Sequence, residues 1–249
     1  SLHALWSVGA LCGALIGGWT LDHNYTTATH YLIVWVPVSI LAVLSYGYLI
    51  PADDSDHADK KLFALPDKAL MLIGVICLCC TLCEGAMADW SALYYQSVQH
   101  DLARKSTTGF TAYAFTMSIG RFTGDRLIHM FGYRKVLMID ALLIAGGMTL
   151  ALATPWPVMV IIGFAMVGYG VSTVIPIAYM VAGQSTTMRP SVALAAVSTV
   201  GFTGFLIGPP VIGFVAHEIG LRYALGIVVV LALAVFGLAG RIRQRNSKA

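Results

Sequence analysis

Eight apolar stretches, each about 20 residues long, follow one another along this chain and constrain its fold more than any other feature. A run of that length is what an α-helix needs to cross the hydrocarbon core of a membrane. Only 11% of the residues are charged and the mean hydropathy is +0.79, whereas soluble domains carry about 25% charged residues. The sequence therefore predicts an all-α polytopic membrane protein with eight transmembrane helices. The predicted spans are approximately 1–20, 31–50, 69–94, 107–127, 136–153, 157–181, 191–215 and 221–240.

Lys and Arg are distributed unevenly between the two sides that eight alternating spans define. Segments 51–68, 121–135 and 182–190, together with the tail after Gly240, hold 12 of the 15 basic residues. Basic residues concentrate in cytoplasmic loops. We therefore expect a multi-pass protein of the inner (plasma) membrane with both ends of this chain in the cytoplasm. The net charge of +3 is too small to indicate a nucleic-acid partner.

An internal repeat divides the spans into two groups. Gly13 and Gly17 in the first span match Gly204 and Gly208 in the seventh, and the offset of 191 residues corresponds to six spans with their loops. Four helices of the first group are then expected upstream of this chain, as a further part of the same protein. The predicted division is into residues 1–50 as the last two helices of an N-terminal bundle, 51–68 as a cytoplasmic inter-bundle loop, and 69–249 as a C-terminal six-helix bundle with a cytoplasmic tail.

Three features together resemble the Major Facilitator Superfamily. They are the charged segment 120–135, the Gly-rich first and seventh spans, and the acidic, Pro-containing connection 51–68. Residues 84–91 and 168–176 further resemble a poorly characterised bacterial branch distantly similar to sugar–proton symporters. The resemblance implies a 12-helix, two-bundle fold and a secondary transporter that moves a small polar solute by alternating access.

The charged segment resembles a loop motif of that family, G-x-x-x-D-R-x-G-x-R-R, with longer spacing here. The resemblance implies that this loop closes a cytoplasmic gate when the carrier faces outward; the alternative is that it only anchors the cytoplasmic side. The matching residues are Gly120, Asp125, Arg126, Arg134 and Lys135. Asp140, at the start of the fifth span, is predicted to be a structural partner of Arg134 or Lys135.

Glu84 is the most interior ionisable residue, about 15 residues into the third span. Ionisable groups within spans are costly and commonly functional. Helical spacing places small and polar residues on the same face, among them Ser91 and Tyr95. Either Glu84 faces a cavity and binds and releases a proton, or it is a structural carboxylate bonded to a backbone or hydroxyl donor. Any charge that pairs with Glu84 is expected in the helices upstream of this chain.

Hydroxyl-bearing residues in two other spans are candidate substrate contacts. They are Tyr113 in the fourth span and Tyr169, Ser172 and Tyr179 in the sixth. Their hydroxyls could bond a polar solute while the rings stack on its apolar face, or they could serve only as helix contacts. The resemblance favours the first interpretation, because the first and fourth helices of each bundle line the central cavity in that family. Pro176 permits a bend in the preceding turn.

Neither a metal site nor a cofactor is predicted. The seven His are scattered, and the five Cys lie inside apolar spans without a set of partners at metal-ligand spacing. Phosphate-binding and hydrolase motifs are absent from the sequence, so an enzyme is not predicted. The predicted partners are a small-molecule substrate, membrane lipid and, as the candidate driving ion, protons. Two alternatives are a truncated, non-transporting remnant or regulatory membrane partner and a polytopic membrane enzyme.

Overall fold

The computed structural model describes residues 2–48, 68–99 and 107–242, and all the regular secondary structure in these ranges is helical. The predicted connection 51–68, apart from Lys68, and the tail 243–249 lie outside the described residues. The helices are α1 (Leu2–Asp22), α2 (Thr27–Ser45, followed by the 3₁₀ turn Tyr46–Tyr48), α3 (Lys68–Gln99), α4 (Thr108–Phe131), α5 (Tyr133–Ala153), α6 (Pro157–Val171), α7 (Val174–Gly183), α8 (Pro190–Ile219), α9 (Leu221–Ala224) and α10 (Gly226–Arg241).

Seven helical stretches of the described chain are long and apolar enough to cross a membrane. One of them is formed by α6 and α7 together, from Pro157 to Gly183. The remaining predicted span is α4, whose 24 residues extend about 36 Å. It is more polar than the others because it carries Arg121, Asp125 and Arg126. An all-α membrane protein with seven to eight spanning helices is thus confirmed.

Glycine and proline set several helix ends. Gly132 separates α4 from α5 at φ 78°, and Gly220 separates α8 from α9 at φ 91°. Only glycine adopts such left-handed backbone angles at little cost. Pro157 and Pro190 lie in the first turns of α6 and α8, where the missing N–H has no helical partner to lose.

The buried core lies almost entirely in residues 68–242, where α3 packs along α8, and α6 lies between α4 and α5. A Cβ at Gly204 or Gly208 would press against the backbone of α3, so these glycines let the two helices approach closely. Thr81 Oγ1 also donates a hydrogen bond of 2.5 Å from α3 to the carbonyl of Gly201 on α8. By contrast, α1 packs mainly on α4, and α2 has no buried residue.

Candidate functional site

A buried ion pair joins α3 to α4. Arg121 Nη2 lies 3.5 Å from Glu84 Oε1, and the two side chains are only 3% and 7% exposed. Glu84 stands near the midpoint of α3, about 24 Å along the helix from Lys68. Removing a charged side chain from water is costly, and an opposite charge nearby offsets part of that cost. Glu84 and Arg121 therefore each stabilise the buried position of the other.

Two sequence-based expectations about this pair are wrong. Arg121 is not in a polar loop at 121–135, because α4 continues to Phe131 and buries its side chain. The charge that pairs with Glu84 is not in helices upstream of this chain either, because Arg121 supplies it. A prediction from hydropathy assigns an arginine near the end of a span to the adjoining loop. It contains no information about a carboxylate on a neighbouring helix that compensates the charge.

Tyr113 lies two helical turns before Arg121 on α4, close enough to interact electrostatically with both members of the pair. Its side chain is 2% exposed, and its hydroxyl has no hydrogen-bond partner among the described residues. Leaving a buried hydroxyl unbonded costs free energy, so this group has unused hydrogen-bonding capacity. Cys80 and Cys83 lie beside it as buried free thiols. Within the described chain there is no group of three or more potential ligands that could hold a metal ion.

The ion pair lies near the point where α3, α4 and the end of α6 meet. Cys80 Sγ, one turn before Glu84, lies 3.7 Å from the carbonyl oxygen of Val171 on α6. Gly120, next to Arg121, packs directly under the Ser172 side chain, so that a Cβ there would overlap it. A change in the α6 end would therefore be transmitted by direct packing to both helices that carry the charges.

The sixth predicted span is interrupted beside this point. α6 ends at Val171 and α7 begins at Val174, with Ser172 and Thr173 between them. The interruption lies one turn before Pro176, whose missing N–H removes the helical partner of the Ser172 carbonyl. The interruption thus lies in the turn that precedes Pro176, where the sequence permits a bend.

Asp140 on α5 stabilises this interruption. Its carboxylate is 2% exposed and accepts a hydrogen bond from Thr173 Oγ1. The predicted pairing of Asp140 with Arg134 or Lys135 is wrong, since Arg134 Nη2 instead donates a 2.5 Å hydrogen bond to the carbonyl of Gly240 at the end of α10. The carboxylate of Asp140 on α5 accepts the hydrogen bond from Thr173, which lies between α6 and α7. Residue spacing alone does not predict this contact.

Replacing Thr173 by valine is expected to lower the thermal stability of the purified protein in detergent. The substitution keeps the side-chain shape but leaves the Asp140 carboxylate buried without its donor, at a cost of about 1–3 kcal/mol. Thr173→Ser keeps the hydroxyl and should melt near the wild-type temperature. Thr199→Val, at an exposed position on α8, controls for loss of a hydroxyl. Equal melting temperatures for Thr173→Val and Thr173→Ser would contradict the role of this bond.

The other predicted substrate contacts lie at different depths. Ser91 and Tyr95 are buried on α3, and the Ser91 hydroxyl has no partner within the described part of the chain. Tyr169, on α6, shares a hydrogen bond of 3.2 Å with Thr123 Oγ1 of α4, and Ser172 Oγ donates to the Tyr169 carbonyl at 2.6 Å. Tyr179 is partly buried on α7 and packs against the core. The structure thus places Tyr113 close enough to Glu84 for an electrostatic interaction, and it places Tyr169 with Ser172 at the helix interruption.

The predicted gate residues occupy the ends of two helices rather than a long loop. Asp125 and Arg126 are exposed in the last turns of α4, and Lys135 is exposed in the first turn of α5. Between these turns only Gly132 is non-helical. Arg134 holds the start of α5 against the end of α10, while Gly120 contributes packing inside the bundle.

Residues 77–249 match the family model described as Major Facilitator Superfamily. The chain is 36% identical over 247 residues to a protein of Yersinia pestis described as an uncharacterised MFS-type transporter. It is 31% identical over 236 residues to the membrane protein MosC of Rhizobium meliloti and 28% identical over 248 residues to an uncharacterised transporter of Sinorhizobium fredii. These alignments cover 97%, 94% and 98% of this chain, which spans 63%, 57% and 65% of the three relatives.

Proposed function

Because the chain belongs to the Major Facilitator Superfamily, we propose that it forms part of a secondary transporter that moves a small polar solute across the membrane by alternating access. Relatives described as transporters support this assignment, as does a fold built from membrane-spanning helices. Such transport makes and breaks no covalent bond in the solute, so the proposed activity is not enzymatic.

The proposed division of the chain follows its packing. Residues 1–50 belong to an N-terminal bundle whose first four helices lie elsewhere in the whole protein, 51–68 link the bundles, and 69–249 form the C-terminal bundle. The absence of buried residues in α2 supports this division, because a helix whose neighbours belong to another bundle buries little against this one. The distribution of Lys and Arg supports cytoplasmic ends and the inner (plasma) membrane.

One observation carries the proposed mechanism, namely the buried pair of Glu84 and Arg121. While Glu84 is ionised, the two charges compensate each other within the bundle. Protonation of Glu84 removes the negative charge that faces Arg121, in a medium where burying a charge is costly. An oxygen of the solute could then take the place of the carboxylate. We therefore propose that proton binding at Glu84 and solute binding at Arg121 are coupled.

The proposed solute site extends from this pair along both helices. The unbonded hydroxyl of Tyr113 lies beside the charges, and that of Ser91 lies about 10 Å along α3 from Glu84. The remaining proposed contacts are Tyr95 on α3, Tyr169 and Ser172 at the helix interruption, and Tyr179 on α7. Gly120, Asp125, Arg126, Arg134 and Lys135 form the proposed cytoplasmic gate.

The proposed movement is a bending of the sixth span at the interruption between α6 and α7. Ser172 packs on Gly120 of α4, and Cys80 of α3 lies against Val171. Because these contacts adjoin the two charged residues, separation of the ion pair and bending at Thr173 would affect the same packed surface. Alternating access requires such a link between occupancy and helix position.

Counterflow and gradient-driven uptake by the full-length protein in proteoliposomes test this proposal, using a panel of sugars, amino acids and drugs. We expect wild-type uptake of one solute to be stimulated by an inward proton gradient. In Glu84→Gln that stimulation should fall at least about tenfold while counterflow, which needs no net proton movement, continues. The expected loss corresponds to removal of the ionisable group that links the two processes.

Glu218→Gln provides a matched control, since Glu218 is exposed near the end of α8. It should retain the full response to the proton gradient. Proton stimulation that survives in Glu84→Gln would exclude the coupling role of this residue, whereas failure to transport any solute of the panel in the wild type would count against the proposed substrate class.

A further inference from the structure

A cavity of about 450 Å³ lies where the start of α3, the end of α7 and the end of α10 meet. Lys68 and Arg241 contribute two positive charges to its wall, and Gln184 and Thr186 contribute an amide and a hydroxyl group. Among the described residues that line it there is no carboxylate. The cavity is therefore suited to an anionic group.

The inner wall of this cavity is apolar, formed by residues such as Leu70, Ile73 and Val181. A second groove of about 390 Å³ begins at Lys68 and Leu72, which also line the cavity, and continues between α3 and α10. Its other lining residues are Met71, Val75 and Leu238. Val75 is two helical turns, about 10 Å, from Lys68, so the groove descends along the outer surface of the helices.

The basic end of α10 is held in place at the cavity. Arg134 Nη2 donates a hydrogen bond of 2.5 Å to the carbonyl of Gly240, the residue before Arg241. This contact ties α10 to the start of α5, and Tyr133, which precedes Arg134, lines the same cavity. Arg241 is thus presented from a fixed helix end opposite the first residue of α3.

A ligand that matches both spaces has an anionic head and an apolar chain. Lys and Arg side chains bind phosphate oxygens strongly, and basic pockets between helices on the cytoplasmic side of membrane proteins accept anionic head groups. We propose that the cavity and the groove form a binding site for one anionic phospholipid. Its phosphate lies between Lys68 and Arg241, and one acyl chain follows the groove between α3 and α10.

This site is separate from the proposed route of the solute. It lies at the ends of α3, α7 and α10, whereas Glu84 lies near the middle of α3. Lipid binding at this position requires neither transport nor the Glu84–Arg121 pair. Lipid binding at this site can therefore be tested independently of the proposed transport activity.

Titration of the purified full-length protein with phosphatidylglycerol, followed by native mass spectrometry, tests the charged part of the site. Lys68→Ala/Arg241→Ala should weaken binding of the first lipid by about tenfold or more, since each basic residue near an anionic head group contributes to its affinity. Arg189→Ala/Arg222→Ala removes the same charge from exposed positions before α8 and in α9 and should leave the affinity within about twofold of wild type. Equal weakening in both double variants would mean that net charge, and not this cavity, attracts the lipid.

Two further measurements separate a phospholipid from other sources of phosphate. Val75→Trp fills the groove without changing charge, and we expect it to weaken phosphatidylglycerol binding by about fivefold or more. Glycerol 3-phosphate and inorganic phosphate, each at millimolar concentration, should not displace the lipid, and phosphatidylcholine should bind more weakly. Displacement by either soluble phosphate together with unchanged binding to Val75→Trp would identify a phosphate site and overturn the lipid proposal, as would equal affinity for phosphatidylcholine.

Discussion

Arg121→Ala is expected to lower the stability of the protein in detergent by about 3–5 kcal/mol, because it leaves the Glu84 carboxylate buried without its counter-charge. The effect is measured by thermal unfolding, in which the loss of monodisperse protein is recorded as the temperature rises. Loss of one member of a buried ion pair costs more than loss of the pair itself, because the remaining charge is uncompensated. The effect should therefore exceed that of removing any exposed cation from the same helix.

Two further variants distinguish charge compensation from simple loss of side-chain volume. Glu84→Gln/Arg121→Gln removes both charges and should recover most of the lost stability, since two neutral amides can bond each other. Arg126→Ala, five residues further along α4 and exposed, should change stability by about 0.5 kcal/mol or less. A double variant as unstable as Arg121→Ala would show that packing of the arginine, and not its charge, is the important contribution.

Gly168→Ala is expected to disrupt the contact between α4 and α6 and to cost about 3 kcal/mol or abolish expression of folded protein. A Cβ at Gly168 would overlap the backbone carbonyl of Tyr113 and lie 2.6 Å from Thr116 Oγ1. The carbonyl belongs to a rigid helix and cannot rotate away as a side chain can. Because Tyr113 lies beside the ion pair, a displaced α4 would also move Arg121 from Glu84.

Gly237→Ala is the matched control for this substitution. Gly237 lies within α10, and a Cβ there would have no neighbour within 4 Å. The change should be neutral or stabilise the helix by up to about 1 kcal/mol, since alanine favours helical backbone more than glycine does. If both variants expressed and melted alike, close approach of α4 and α6 at Gly168 would not be important for the fold.

The course of the chain through the membrane could be predicted from the sequence because the information is local. About 20 consecutive apolar residues are sufficient to define a span, and the helices found agree with the predicted stretches apart from their ends. Small residues at helical spacing, such as Gly204 and Gly208, favour close contact between helices, and this pattern too is local in the sequence. Glu84 could be identified as a candidate functional residue because a carboxylate within an apolar span is costly and is commonly retained for function.

The partners across helices could not be predicted in the same way. Arg121 is adjacent in sequence to the charged residues of a surface motif, and only the approach of α3 to α4 distinguishes it from them. Thr173 and Asp140 are 33 residues apart, and neither residue's immediate neighbours indicate the other. The rotation of each helix about its own axis decides these contacts, and it depends on packing with several neighbours at once.

The polarity of α4 has a consequence for how the protein enters the membrane. An arginine near the centre of an isolated helix opposes insertion by the translocon by about 2.5–3.5 kcal/mol, and α4 is not among the seven stretches apolar enough to cross by themselves. The preceding helix, α3, is apolar and carries the carboxylate that pairs with this arginine. Integration of α4 into the bilayer is therefore expected to require its pairing with α3, so that the two helices enter together as a hairpin.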